Sequence, residues 1–236
     1  MIVLKTNREL SLMREACRIS AGALRVAGEA VQPGVTTEEI DRIAYEYIIK
    51  QGAKPNFLNY NGFPATACIS INDEVIHGIP SKKRVIKEGD IVSIDLGAVL
   101  DGYNGDNAAT FAAGKISPEA ERLINTTRES LYKGIEAAVA GGRIGDISSA
   151  VQKYCEERGF SVVRDFVGHG IGRDLHEVPD VPNYGIAGRG QRIYTGMVIA
   201  VDKADADKAV ATLKAAGEEA YILGEAVNGE KGIDIL

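Results

Sequence analysis

The chain has 236 residues, 45% of them hydrophobic and 25% charged, with 27 basic against 33 acidic side chains and a net charge of −6. Those proportions provide apolar mass for a packed core and exclude a disordered chain, a collagen or a disulfide scaffold. No Lys/Arg cluster stands out in this acidic background, which argues against DNA or a membrane surface as partner.

The three cysteines, Cys17, Cys68 and Cys155, are an odd number without C-x-x-C spacing, as suits a reducing compartment. The opening residues lack the apolar stretch of a signal peptide, and no run approaches the ~18 apolar residues of a membrane span. The expectation is a soluble, cytoplasmic protein.

Thr6 followed by Glu9 reads as a capping box opening a long helix with Leu10, Met13, Cys17 and Leu24 on one face, stopped at Pro33-Gly34. Thr36 and Glu39 open a second helix, with Ile40, Ile43, Ala44 and Tyr47 on its apolar face and Gly52 at its end. From Ala67 to Ile71 and from Val85 to Gly97 the pattern turns to strands. A second helix pair follows: one helix from Pro118, after Ser117, closed by Gly141-Gly142, and one from Asp146 to Arg158. Strands return after Gly159.

The two halves match at a constant spacing. Gly34 and Gly141, Ile40 and Ile147, Tyr47 and Tyr154, and Gly52 and Gly159 are each 107 residues apart, and Gly89 to Asp95 falls on Gly196 to Asp202 at the same spacing. This predicts an α+β domain of two similar halves, helices packed on antiparallel strands, with a site between them. After Asp202 the echo stops: an alanine-rich helix from Ala204 to Gly217, a strand from Ala220 to Leu223 and an Asn228-Gly229 turn are predicted instead.

Asp95 ends an apolar strand, Leu100 to Tyr103 reads as a turn, and Asp106 follows on the returning strand. Two aspartates opposite or diagonal across a hairpin repel each other, and a divalent cation reverses that sign. The plainer alternative makes Asp106 a turn residue of Tyr-Asn-Gly-Asp. All three histidines, His77, His169 and His176, lie in Gly- or Pro-rich segments rather than on a helical stripe, which points to a site. Imidazole with carboxylates suits Mn, Fe, Co or Zn, whereas an all-oxygen site suggests Mg or Ca. Two bridging carboxylates allow a pair of metals about 3.5–4 Å apart, and hydrolysis is the natural reaction. Tyr60, Phe63 and Cys68 either line an apolar pocket or belong to the core. No P-loop or G-x-S-x-G elbow is present, and Gly168 to Gly172 lacks dinucleotide-binding spacing.

Asn59 to Pro64, Cys68 to Pro80, Gly89 to Asp95, Gly105-Asp106 and Phe166 to Arg173 with His176 resemble bacterial type I methionine aminopeptidases of the pita-bread fold, over residues 1 to about 198. The resemblance implies removal of initiator methionine from new proteins at a two-metal centre. It implies Asp95 as a bidentate ligand, Asp106 as the bridge and His169 as the imidazole ligand. His77 and His176 would hold substrate and stabilise the tetrahedral intermediate, while Tyr60, Phe63 and Cys68 would form the methionine pocket. It further implies a monomer that acts on N-terminal peptides and associates with the ribosome.

Three departures qualify the resemblance. Asn104 replaces the family's usual His before Gly-Asp. Asp202-Lys203 stands where a Glu-Pro carries a ligating Glu, which makes Asp202 a shortened stand-in. No second bridging Glu is identifiable; Glu225 and Glu230 are the nearest candidates. Residues 199 to 236 instead resemble the end of aminoimidazole ribonucleotide synthetase, so a graft after about Val198 is expected, too short for that enzyme's ATP chemistry. The expectation is a methionyl aminopeptidase with reduced activity and one tightly held metal. The alternatives are an inactive remnant or chimera that binds peptide or a single metal, and a prolidase-like hydrolase.

Overall fold

The computed structural model describes residues 2 to 197. Asp202, the graft at 199–236 with its predicted helix and strand, and the candidates Glu225 and Glu230 lie outside the described residues.

Helix α1 (Asn7–Glu29) begins where Thr6 and Glu9 cap each other reciprocally, as their spacing predicts. Helix α2 (Thr37–Lys50) repeats the device with Thr36 and Glu39. Both cover a four-stranded antiparallel sheet of β1 (Lys54–Pro55), β2 (Ala67–Ile71), β3 (Ile91–Leu100) and β4 (Tyr103–Ala112). The long strand β3 is central: β4 pairs along its whole length, while β2 and β1 follow one another along its other edge. The sequence pattern starts this strand at Val85, but the chain there makes only an isolated bridge to Thr36 and turns at Gly89 before β3 begins.

Alternation along β3 decides what each face does. Val92, Ile94, Leu96 and Ala98 are fully buried under α1 and α2, together with Ile19, Ala23, Ala27, Ile40, Ala44 and Ile48. Asp95 therefore points from the opposite face, away from this core.

The second half repeats the first. Helix α3 (Pro118–Ala137) is capped by Ser117, and α4 (Ile144–Glu156) starts two residues earlier than the pattern predicts. The bridge Thr36–Val85 has its counterpart in Arg143–Arg192, 107 residues on. The hydrogen bond from Gly34 N–H to Ile86 O (2.8 Å) recurs from Gly141 N–H to Ile193 O (3.0 Å). Backbone angles repeat too: φ is +93° and +88° at Gly34 and Gly141, and +90° and +91° at Gly89 and Gly196. The described sheet of this half is two short antiparallel strands, β5 (Gly168–Gly170) and β6 (Glu177–Val181).

Candidate metal centre

Asp101 and Gly102, at φ +50° and +80°, form the two-residue turn between β3 and β4. Positive φ at both central positions matches the twist of paired strands and fixes their register. That register sets Asp95 opposite Ala108 and Asp106 opposite Gly97, so the two aspartates are diagonal neighbours on one face. The turn-residue alternative for Asp106 fails, because it lies well inside β4.

The carboxyl groups of Asp95 and Asp106 interact directly across the hairpin, so that one proton between them would relieve their repulsion. Burial, followed by the charge of Asp106, raises the pKa of Asp95; burial likewise raises that of Asp106. One oxygen of Asp106, Oδ1, is buried without a hydrogen-bond partner. An unpaired buried oxygen in a pair of anions is unfavourable until a cation or proton joins it.

His169 reaches this pair from the other half of the molecule. Its Nδ1 lies 2.8 Å from the carbonyl oxygen of Gly170. A carbonyl can only accept, so Nδ1 carries the proton and Nε2 keeps a free lone pair. That Nε2 faces Asp106 Oδ2 at 3.6 Å. A fixed tautomer with an outward lone pair is how a protein prepares an imidazole for a metal. Among the described residues no three acidic, Cys or His side chains close into a complete metal-holding group. The donors present thus fit part of a divalent-cation centre; the predicted further ligand, Asp202, is not among the described residues.

The ring of His176 lies tilted against His169 with centroids 4.1 Å apart, and its Nδ1 is 2.8 Å from the Tyr60 hydroxyl. Desolvation, then the neighbouring His169, lowers its pKa and favours the neutral ring. His77 lies apart from these rings: exposed, at φ +62°, with its edge against Phe166. The Gly78 carbonyl next to it nevertheless accepts from the Ile69 N–H at 2.8 Å, beside Cys68, which places His77 at the rim of the same region.

Cys68 is directly opposite Asp95 in the β2–β3 register. Burial first, then Asp95 and Asp106, push its thiol up to about 12, so it behaves as a small apolar group. With Phe57 and Leu175 it forms a buried cluster against which Phe63 and Ile171 pack. Two of the three predicted pocket residues, Phe63 and Cys68, are therefore in this cluster, and Tyr60 sits on His176 instead. Sequence reasoning missed Phe57, Ile171 and Leu175. Leu175 and Ile171 flank the histidine segment, and their alternation with His176 and Gly170 was the available signal.

The comparisons agree with this geometry. The model of metallopeptidase family M24 matches residues 11–212. A methionine aminopeptidase of Clostridium acetobutylicum is 54% identical over 202 residues, covering 86% of this chain and 81% of that protein. Among solved structures, the methionine aminopeptidase of Thermotoga maritima superposes with a TM-score of 0.83 at 43% identity, covering 85% of this chain and 81% of that one. Prolidase from Pyrococcus furiosus shares the fold at a TM-score of 0.72 and 26% identity, over 83% of this chain and 55% of its own. The pita-bread architecture predicted from the sequence is the one these structures share. The family uses divalent metal, in keeping with a buried carboxylate pair faced by an imidazole lone pair. The chain belongs to metallopeptidase family M24, as a metallo-aminopeptidase of its methionine aminopeptidase branch.

Proposed function

We propose that this chain removes the N-terminal methionine from new polypeptides, with Asp95, Asp106 and His169 holding the metal. The observation that carries the reading is the adjacency of an apolar cluster to the carboxylate pair, through the Cys68–Asp95 register. Phe57, Phe63, Cys68, Ile171 and Leu175 bring flexible, polarisable and aromatic surfaces together, which suits an unbranched thioether side chain. A side chain seated there brings the first peptide bond beside Asp95 and Asp106.

A bound divalent cation supplies the positive charge that acidifies water and polarises the carbonyl. The protein supplies position and proton control. With the Tyr60 hydroxyl donating to Nδ1, His176 is left with Nε2–H as an outward donor for the developing oxyanion. Asp95 and Asp106 would hold that cation as deprotonated carboxylates, giving up the proton that burial favours in its absence. His77, at the rim, is assigned to the substrate's backbone.

One tight metal per chain and turnover below that of related enzymes are expected. Asp202 is one methylene shorter than Glu, and no second bridging Glu is identifiable in the sequence. The proposed boundary puts the aminopeptidase-like domain at residues 1–198 and the graft, resembling the end of aminoimidazole ribonucleotide synthetase, at 199–236. A monomer acting in the cytoplasm on chains emerging from the ribosome fits this reading. No helix among the described residues is long and apolar enough to cross a membrane.

Assays with added Co(II) or Mn(II) on a Met-Gly-Gly peptide and on an Xaa-Pro dipeptide test the proposal. Metal-dependent release of methionine alone is expected. Metal binding without cleavage of either substrate would favour the inactive remnant, and preferential Xaa-Pro cleavage would favour the prolidase-like alternative.

A further inference from the structure

Asn104 stands two residues before Asp106 on β4 and is 5% exposed. It is the point where the carboxylate strand grips the histidine segment. Its backbone N–H donates to Gly172 O at 2.9 Å, while its side-chain Nδ2 donates to Gly172 O at 3.1 Å and to Arg173 O at 2.9 Å. Its Oδ1 accepts from Asn56 Nδ2 at 3.1 Å. The Asn56 amide reaches this position because Gly97 has no side chain; a Cβ there would lie 2.4 Å from Asn56 Oδ1. Both donors and the oxygen of the Asn104 amide are thus committed, and the carbonyls at 172 and 173 can only accept.

We propose that Asn104, supported by Asn56, is a positioning residue that holds residues 169–176 against the hairpin. The latch sets the distance between His169 and Asp106 and the pairing of His176 with Tyr60. Two backbone carbonyls of one half are held by a single amide of the other, three and four residues from His176. Removing the amide leaves Arg173 O without its donor and Gly172 O with only the Asn104 backbone N–H, which loosens the segment against the hairpin. The inference rests on the metal-centre reading for its consequence, but the latch itself is present without metal.

The test uses Asn104→Leu, of similar volume without donors, and Asn104→His, which keeps a ring N–H for one carbonyl. The first readout needs neither metal nor substrate. The chain has only three histidines, so long-range ¹H–¹⁵N spectra of the metal-free protein at about pH 8, above the usual imidazole range, report the His169 tautomer. The unmodified protein should show the Nδ1–H form at His169. Asn104→Leu should lose it to a mixture, and Asn104→His should recover most of it. The second readout is Co(II) titration followed by visible absorption. Asn104→Leu should weaken binding about tenfold, within the range expected for an outer-shell partner, and Asn104→His should restore it to within about threefold. Asn56→Ala, which leaves both carbonyl bonds intact, is the milder variant should Asn104→Leu fail to fold; it should shift both readouts in the same direction by less. An unchanged His169 tautomer and unchanged Co(II) affinity in the variant that folds would overturn the proposal. Failure of the metal-centre reading would look different: the unmodified chain would bind no Co(II), while the tautomer experiment would still decide the latch.

Discussion

The two halves are built from one plan and completed differently. In the first, Gly22 lies under Tyr47 so closely that a Cβ would fall 2.2 Å from the tyrosine hydroxyl, and the half-buried ring packs against the core. At the equivalent place in the second half, Glu129 replaces the glycine, and the Tyr154 hydroxyl donates to its carboxylate at the surface. The same contrast runs through the helices. Ile40 is fully buried against the sheet, whereas its counterpart Ile147 is half-buried beside Gly134 of α3, and the segment equivalent to β3 in this half lies outside the described residues. The first half encloses a large core of its own among the described residues and carries both carboxylates on a rigid hairpin. The second contributes imidazoles on short strands held by contacts from outside it: the Asn104 latch, and Lys5, whose ammonium pairs with Glu177. A catalytic constellation benefits from such a division, because the repelling anions need the stiffer support.

The comparison can be broken most decisively at the hairpin. Asp106→Asn should reduce metal affinity by more than the roughly 10–100-fold typical of an outer-shell partner, read by calorimetric titration with Mn(II). A loss below tenfold would remove Asp106 from the ligand set. On the other half, His176→Ala should lower turnover by about 10²–10³, the usual cost of one oxyanion donor, while Mn(II) affinity stays unchanged. Loss of metal in this variant would make His176 a ligand.

Packing sharpens the contrast further. Ile40→Ala should cost about 2–5 kcal/mol by the usual cavity argument, measured by urea denaturation. Ile147→Ala should cost under about 2 kcal/mol, because part of its surface is already accessible. Equal costs would show the second half to be as tightly cored as the first.

The smallest effect is in pH. Asp95 and Asp106 titrate above the ordinary carboxylate range in the folded state because burial and their proximity disfavour the second charge. The folded protein then binds more protons than the unfolded one, so its stability declines as pH rises from that range through the raised values. Glu9, held at about 2 by the Thr6 backbone, acts in the opposite sense but only at lower pH. The melting temperature of the metal-free protein should therefore fall by a few degrees from about pH 5 to about pH 8. Asp95→Asn should flatten that slope, and an equal slope in the variant would place the raised groups elsewhere.

Much of this architecture is legible in the sequence. Capping boxes at Thr6/Glu9 and Thr36/Glu39 mark helix starts because their chemistry is local, and the 107-residue echo exposes the duplicated plan through glycines at fixed backbone angles. The Asp95–Asp106 diagonal follows from a two-residue turn and strand alternation. What was hidden depends on contacts between halves. Phe57 and Leu175 are 118 residues apart in sequence and meet only once the halves close. Asn104 read as a departure from the family's histidine, and its grip on Gly172 and Arg173 has no local signature. Val85 and Ile86 mimic the start of β3 because Ile86 is buried in the core from the segment beside Thr36, while Val85 is exposed.

The central claim is that one metal site is assembled from both halves, and parallel Mn(II) titrations of the unmodified chain and His169→Ala test it most directly. The account predicts one tight site per chain, weakened at least tenfold when the second half's imidazole is removed, with the fold intact by circular dichroism. Unchanged affinity in His169→Ala would confine the centre to the first half's hairpin and contradict the account.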